Sequence, residues 1–381
     1  MRLGDVCTKI GSGATPKGGK EAYKPSGIPF IRSQNVLDWS FTGNGLAFID
    51  EGQATALANV EVEPNDILLN ITGDSVARAC MVPDWCTPAR VNQHVSIVRS
   101  GSDLDPTFLL CFLQSSKPLL LKLASSGATR NALTKGMIGD LEIELPSIET
   151  QRAIATLIGQ IQQKIVLNQQ TNDYLAELGD ALFREEFGDL EENAVLSDIA
   201  NITMGQSPAG TSYNEDRNGT VFYQGRGEFG WRYPTQRLFT TEPKRMAKAG
   251  DVLMSVRAPV GDLNLAYEDC CIGRGLAAIS CDYPSYCFYL MRSLRKKLDA
   301  YNGEGTVFGS ISGKALKNLA IALPKPDAIK TFEEEVAPID ATIRSNETES
   351  RGFTELRDTL LPKLMSGEIG VSNVNTTQLR N

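Results

Sequence analysis

The sequence predicts an α+β fold laid out as a tandem pseudo-repeat. Two mixed α/β domains are each followed by a long helix, and the two helices pack as an antiparallel coiled coil. Three observations carry this expectation. Phrases of the first half recur in the second, two long stretches combine heptad-spaced apolar residues with few helix breakers, and the remaining segments alternate short apolar runs with turn residues.

The repeat comes first. "LGDVCTKIGSGATP" from Leu3 is echoed by "LSDIANITMGQSP" from Leu196, and "NDILLNITG" from Asn65 by "GDVLMSVRAPVG" from Gly250. Further along, the offset settles at 178 residues: Leu141, Ile143, Leu145 and Pro146 meet Leu319, Ile321, Leu323 and Pro324. The same offset continues through Ile161/Ile339, Ile165/Ile343, Asn168/Asn346 and Leu182/Leu360. Near the N-terminus it is about 193, so the globular parts differ by insertions while the later parts keep step. The expected segments are globular domains at 1–146 and 191–324, long helices at 147–190 and 325–368, and a tail at 369–381.

Within the globular parts, "GIPFIRSQNV", "NDILLNITG" and "VNQHVSIVRS" alternate or run apolar between turn residues and read as strands. "DPTFLLCFLQSSKPLLLKLAS" and its counterpart "YPSYCFYLMRSLRKKLDAY" read as short buried helices. From Glu149 to Phe187 there is no proline, and Gly159 and Gly179 are the only interior glycines. Ile154, Leu157, Ile158, Ile161, Ile165, Leu175, Leu178 and Leu182 form a seam at heptad spacing. Phe332, Ile339, Asn346, Phe353 and Leu360 continue the pattern in the second copy. At 1.5 Å per residue such a helix spans roughly 60 Å, far more than a single domain needs. Asn168 and Asn346 each interrupt a seam near its middle. In an antiparallel pair they meet near the pseudo-two-fold axis and fix the register; in the other reading both tip outward into water.

Composition bounds the function. With 381 residues the chain has room for two or three domains, and 41% hydrophobic residues suit a globular protein. No apolar run reaches membrane-spanning length, and "MRLGDVCTKI" lacks the apolar core of a signal peptide, so a cytoplasmic protein is expected. Eight cysteines without a C-x-x-C pair, and His94 as the single histidine, argue against a zinc cluster or other metal site. The net charge is −8, but residues 146–190 carry −4 of it and 324–381 carry −3. The globular parts are therefore near neutral and can still present a local basic face.

One motif suggests an enzyme. Gly225, Gly227 and Gly230 in "QGRGEFGWRYP" have the G-x-G-x-x-G spacing of a dinucleotide-binding turn. That turn needs a helix opening directly after the glycines, so that backbone N–H groups face the pyrophosphate. "WRYPTQ" with Pro234 has no helical periodicity. A nucleotide-dependent enzyme using this loop stays as an alternative, and a structural adaptor binding protein is another.

The layout resembles the specificity (S) subunit of type I restriction–modification systems. The resemblance rests on "LEIELP" before the first helix, "ETQRAIA" opening it and "ALFREEF" closing it. In the second half it rests on "ITMGQSP", "FYQG", "GDVLMSVRAPVG", "CCIGRGLAAI" and "LLPKLMSGEI", in the expected order. It departs where "SIETQR" replaces the usual Pro-Leu-x-Glu-Gln-Arg opening and where the second helix starts "KPDAIKTF". The resemblance implies that each globular part is a target recognition domain reading one half of a split double-stranded DNA target. It implies helices that act as spacer and as platform for two methylation subunits, with restriction subunits joining through the complex. It also implies a non-catalytic chain that binds no cofactor, S-adenosylmethionine and ATP/Mg²⁺ belonging to the partners, and no membrane. No Asn/Asp-Pro-Pro-aromatic stretch and no Walker A occurs; "GSISGKAL" lacks the required spacing.

Sequence readout needs Arg or Lys against guanine and Asn or Gln against adenine, held on loops at a groove. In the first half the candidates are Lys17, Lys20, Arg32, Ser33, Gln34, Asn35, Thr72, Arg78, Asn92 and Gln93. In the second they are Gln206, Ser207, Gln224, Arg226, Arg232, Arg257 and Arg274. "IRSQN" and "YQGRG" are counterparts, each just after the first strand of its domain. Other roles remain open. Arg257 and Arg274 could bond carbonyls in a packed corner, and one of Asn92 and Gln93 is expected to face the core. His94 reads as a structural histidine, Cys270–Cys271 as core strand, and "RSLRKK" as a solvated helix face with phosphate contact as the alternative.

Overall fold

A computed structural model of the chain describes residues 1–125, 131–303 and 309–371. Most of the tail expected at 369–381 thus lies outside the described residues, as does the side chain of Lys20. The chain forms two compact units, Met1–Asn168 with Thr348–Asn381, and Gln169–Glu347.

In the first unit, Cys7–Ser12, Val95–Ser100, Ile67–Asn70 and Ala79–Met81 form an antiparallel sheet in that spatial order. A second sheet runs Ala47–Ile49, Ile28–Ile31, Ala89–Val91, Glu61–Val62, with its central pair parallel. The strand Ile67–Asn70 is buried throughout. Side chains alternate across a strand, so Ile67 and Leu69 enter one core and Leu68 the other. Burial on both faces is why this strand reads as an unbroken apolar run.

Ile67 and Leu69 pack with Phe108, Leu109 and Leu113 of the helix Pro106–Ser115. Asp105 caps that helix, accepting from the amides of Thr107 at 2.9 Å and Phe108 at 3.0 Å, and Pro106 occupies the first turn, where no N–H is needed. The same core takes in Ile154, Leu157 and Ile158 of the first long helix, Ile148–Phe187, and Leu361 and Leu364 of the second, Pro326–Met365.

The second unit has the same strand order. Its antiparallel sheet runs Asn201–Met204, Leu276–Ser280, Val252–Ser255, Leu263–Leu265. Its other sheet runs Leu238–Thr240, Thr220–Tyr223, Cys270–Ile272, Met246–Ala247, again with a parallel central pair and with Tyr213–Asn214 added at the Leu238–Thr240 edge. Val252 and Met254 enter one core and Leu253 the other, repeating the two-faced burial. Cys270 and Cys271 are buried core-strand residues.

In each unit the two long helices meet with opposite polarity. In the first, Gln162 Oε1 accepts from Arg357 Nη1 at 2.6 Å, and Asn168 donates to Glu349 Oε2 at 2.7 Å and Ser350 Oγ at 3.2 Å, so partner numbers fall as helix numbers rise. In the second, Asn346 donates to Asn172 Oδ1 at 2.8 Å, while the rings of Phe183 and Phe187 lie 5.6 and 5.4 Å from Phe332. Asn168 is buried and Asn346 half-buried, each bonded to the facing helix. No described helix is long and apolar enough to cross a membrane.

Candidate nucleic-acid interface

Four loops meet at one edge of the second unit, and their backbones fix one another. Gly205 and Gln206 donate to the carbonyls of Leu276 and Ile272, both at 2.9 Å, and Gly273 donates to that of Tyr223 at 2.8 Å. Val256 donates to Gly275 O at 2.9 Å, bringing the loop after Val252–Ser255 alongside. Gly205 has no alternative: a Cβ there would lie 2.1 Å from Gly273 O. Ser207, Gln224, Arg226, Arg257 and Arg274 thereby line one cleft of about 250 Å³. Gln224, Arg226, Arg257 and Arg274 are exposed, as is the neighbouring Gln206. Among the described residues, neither the Arg257 nor the Arg274 guanidinium has a hydrogen-bond or ion-pair partner.

The first unit builds the same edge with the same bonds. Gly13 donates to Val95 O at 3.1 Å, Ala14 to Val91 O at 3.2 Å, Asn92 to Ile31 O at 3.0 Å and Ile71 to His94 O at 2.9 Å. A Cβ on Gly13 would lie 1.8 Å from Val91 O. The correspondence pairs Thr15 with Ser207, Thr72 with Arg257, Gln93 with Arg274, and His94 with Gly275. The side chains differ. Thr72 Oγ1 lies 2.6 Å from His94 Nδ1, Gln93 Nε2 lies 3.2 Å from His94 Nε2, and Thr15 bonds the Gln93 carbonyl. On this edge Thr15, Thr72, Gln93 and His94 bond one another, where the other edge exposes the Arg257 and Arg274 guanidiniums.

The remaining candidates fall elsewhere. Asn35 is buried; it accepts from the Arg32 amide at 3.0 Å and donates to Thr42 O and Asn44 O at 3.0 and 3.2 Å, holding the next loop. Arg32 and Gln34 both bend onto Gly45 O, at 2.5 and 3.2 Å, and the Ser33 carbonyl accepts from Asn70 at 2.9 Å. Asn92 is buried, its side chain accepting from the His94 amide at 3.0 Å, whereas Gln93 is exposed. Lys17 is exposed, and Arg78 is half-buried just past the turn that follows Thr72.

Arg232 is the clearest displacement. It is buried, with Nη2 2.5 Å from Asp340 Oδ1 and its guanidinium 4.3 Å above the Phe288 ring, so it belongs to the core beneath the loop and not to the exposed edge. The glycine motif ends in a single 3₁₀ turn, Arg226–Glu228, not in an α-helix, so it offers no helix N-terminus to a pyrophosphate.

A second cleft, about 470 Å³, shares Arg226 with the first and is lined also by Asp262, Asn264, Arg292 and Arg295. Arg226 bonds Asp262, as does Arg295 at 2.7 Å. Burial alone would push the Asp262 carboxyl up, but the hydrogen bonds from Arg295 and Arg226 hold it below the usual carboxylate range. Arg292 is committed to Asp180 through Nε at 2.8 Å, and Lys297 to Glu192. The "RSLRKK" run therefore serves ion pairs within its unit. Sequence reasoning passed over Thr15, which bonds Gln93, and Asp262, which restrains Arg226; the only signal for Thr15 is its place two residues after the repeated glycine.

Both units hold an edge of loops by the same backbone bonds, and in the second unit that edge exposes Gln224, Arg226, Arg257 and Arg274, side chains of the class that binds nucleic acid. Comparisons with known proteins give the same class. Residues 1–177 match the family described as Type I restriction modification DNA specificity domain. A relative named as the MjaX specificity subunit of a type I restriction enzyme, from Methanocaldococcus jannaschii, is 27% identical over 97% of this chain and 93% of its own. The type I restriction enzyme HindI specificity subunit of Haemophilus influenzae is 21% identical over 90% of this chain and 94% of its own. The crystal structure of the type I restriction–modification S subunit from M. genitalium shares the fold, with a TM-score of 0.60 at 15% identity over 96% of this chain and 95% of that one. Residues 1–177 thus carry a type I restriction modification DNA specificity domain, and over nearly its whole length the chain is similar to type I specificity subunits.

Proposed function

We propose that each unit reads one half of a split duplex target through its four-loop edge, making the chain a tandem pair of target recognition domains with boundaries near 1–146 and 191–324. The two long helices, near 147–190 and 325–368, act as an antiparallel coiled coil that sets the distance between half-sites and carries two methylation subunits, through which restriction subunits join. The chain supplies no catalysis. S-adenosylmethionine and ATP/Mg²⁺ belong to those partners, and the work is done on cytoplasmic DNA.

One observation carries the reading. Both units hold the same loop edge by the same backbone bonds, yet present different side chains on it. A constant scaffold with variable exposed Arg, Gln, Thr and Ser is what direct base readout requires, since backbone bonds position and side chains discriminate. Two pseudo-symmetric readers in one chain fit a target with two halves at fixed separation. The test is to map methylated positions in cells carrying the complete system. A split motif with one fixed gap is expected; methylation by active partners without such a motif would overturn the proposal.

A further inference from the structure

The correspondence between the two edges goes further than shared architecture, because it pairs individual readers. Thr72 and Gln93 of the first unit stand where Arg257 and Arg274 stand in the second, and Thr15 where Ser207 stands. The chemistry at those places is unlike. A guanidinium offers a planar fork of donors and no acceptor, which matches the two acceptors of guanine in the major groove. A carboxamide offers one acceptor and one donor group, which matches adenine.

The surroundings sharpen the contrast. Arg257 and Arg274 are exposed on a common cleft with Gln224 and Ser207. Asp262, in the neighbouring cleft, is taken up by Arg226 and Arg295. Gln93 is exposed too, but its carbonyl is held by Thr15 and its amide lies 3.2 Å from His94 Nε2, so its plane is set before DNA arrives. The first unit's edge has no cation at either corresponding place.

We infer that the two half-targets differ in base identity at corresponding positions: the second unit's half carries guanine opposite Arg257 and Arg274, and the first unit's half carries adenine opposite Gln93. This rests on the proposal that each unit reads one half-site.

The experiment is selection of bound duplexes from a random library by the full chain assembled with its methylation subunits, for the wild type and for Arg274→Gln, Arg274→Lys and Gln93→Arg. The wild type is expected to select two fixed elements, one containing guanine and the other adenine at the positions the variants report. Arg274→Gln and Arg274→Lys should each lower discrimination for guanine at a single position by roughly ten- to a hundred-fold and leave the other element intact. Lysine keeps the charge but loses the fork, so it separates base contact from phosphate contact. Gln93→Arg should shift one position of the other element from adenine towards guanine. Retained guanine preference in Arg274→Gln, or an even loss across all sequences in that variant with a salt slope shallower by about 1, would assign Arg274 to the backbone and overturn the inference. A wild-type split motif lacking guanine in the element altered by Arg274 variants would also overturn it while leaving half-site reading in place. A wild type that selects no sequence at all would defeat the underlying proposal.

Discussion

Arg232 and Asp340 form a buried ion pair, Nη2 to Oδ1 at 2.5 Å, that ties the loop after Arg226–Glu228 to the second long helix within one unit. Tyr289 Oη donates to the same carboxylate oxygen at 3.1 Å, and the Phe288 ring lies 4.3 Å from the guanidinium carbon. The first unit fills the corresponding helix position with Gln162, which accepts from Arg357 at 2.6 Å while Arg357 lies 5.0 Å from the Trp39 ring. Both units thus stack a guanidinium on an aromatic ring and bond it to one place on the repeat. In the first unit the arginine comes from the helix, in the second from the loop.

Removing one partner of such a pair strands the other charge in the core. Arg232→Ala or Asp340→Ala is expected to cost about 3–5 kcal/mol, read by denaturant unfolding of the full chain. Arg232→Met with Asp340→Leu should cost much less than either single change, because no charge remains to be desolvated. A double variant as unstable as the singles would show that the pair acts through shape rather than charge.

Gly13 and Gly205 give a prediction confined to one half-site each. A methyl group at Gly13 would meet Val91 O at 1.8 Å and one at Gly205 would meet Gly273 O at 2.1 Å, both backbone atoms that cannot rotate away. Gly13→Ala should therefore spread the edge that holds Gln93, and Gly205→Ala the edge that holds Arg274. On the proposed function, each variant loses at least about tenfold affinity for duplexes matched at its own half, measured by competition against duplexes altered at the other half. Equal loss at both halves would count against separate reading by the two units.

Much of this architecture is legible in residue pattern. Ile67–Asn70 and Val252–Ser255 announce themselves because two-sided burial demands continuous apolar residues. The helix–helix face is less legible. Heptad spacing puts Leu178 in the seam, yet it is 47% exposed, whereas Asn172, a polar residue in the heptad row of Ile158 and Ile165, is 1% exposed. In this stretch the helix turns its apolar face towards a globular core, where Phe183 and Phe187 pack on Tyr286, and only tertiary context sets that rotation. Arg232 fails for the same reason. "GWRYP" carries no sign of burial, because the acid that neutralises the arginine lies 108 residues away. The loop edge is half legible: exposed Gln224, Arg257 and Arg274 follow strands as expected, but the correspondence of Arg274 with Gln93 depends on bonds between loops far apart in sequence.

Asp262 predicts a pH dependence. Its carboxyl is held below the usual range, so its folded-state pKa lies below the unfolded value of about 3.9. A depressed carboxylate contributes stability that is complete above the unfolded pKa and is lost as pH falls through the folded one. Acid-unfolding curves of the wild type and Asp262→Asn should therefore separate above about pH 4 and converge below it. The same change releases Arg226, while Arg295 keeps Asp299 at 3.1 Å, so non-specific DNA affinity should rise, with a salt slope steeper by about 1. Curves that stay separate at low pH would mean Asp262 acts by packing and not by charge.

Asn346 donates to Asn172 Oδ1 at 2.8 Å, and Asn172 Nδ2 reaches Ile343 O at 3.4 Å, in the stretch where the two long helices face each other within the second unit. Because Asn172 is buried, Asn346→Ala removes a donor from a carbonyl that water cannot reach, at an expected cost of about 1–3 kcal/mol. Replacing both asparagines by leucine removes the unpaired group and should recover most of that loss, while taking away the polar contact that resists helix sliding. If the helices set half-site spacing, the double variant should accept duplexes whose gap is longer or shorter than the single length the wild type accepts. Binding to duplexes of graded gap length measures this directly. A double variant that still accepts one gap length only would place register in the aromatic packing of Phe183, Phe187 and Phe332, and leave the asparagine pair with a stabilising role alone.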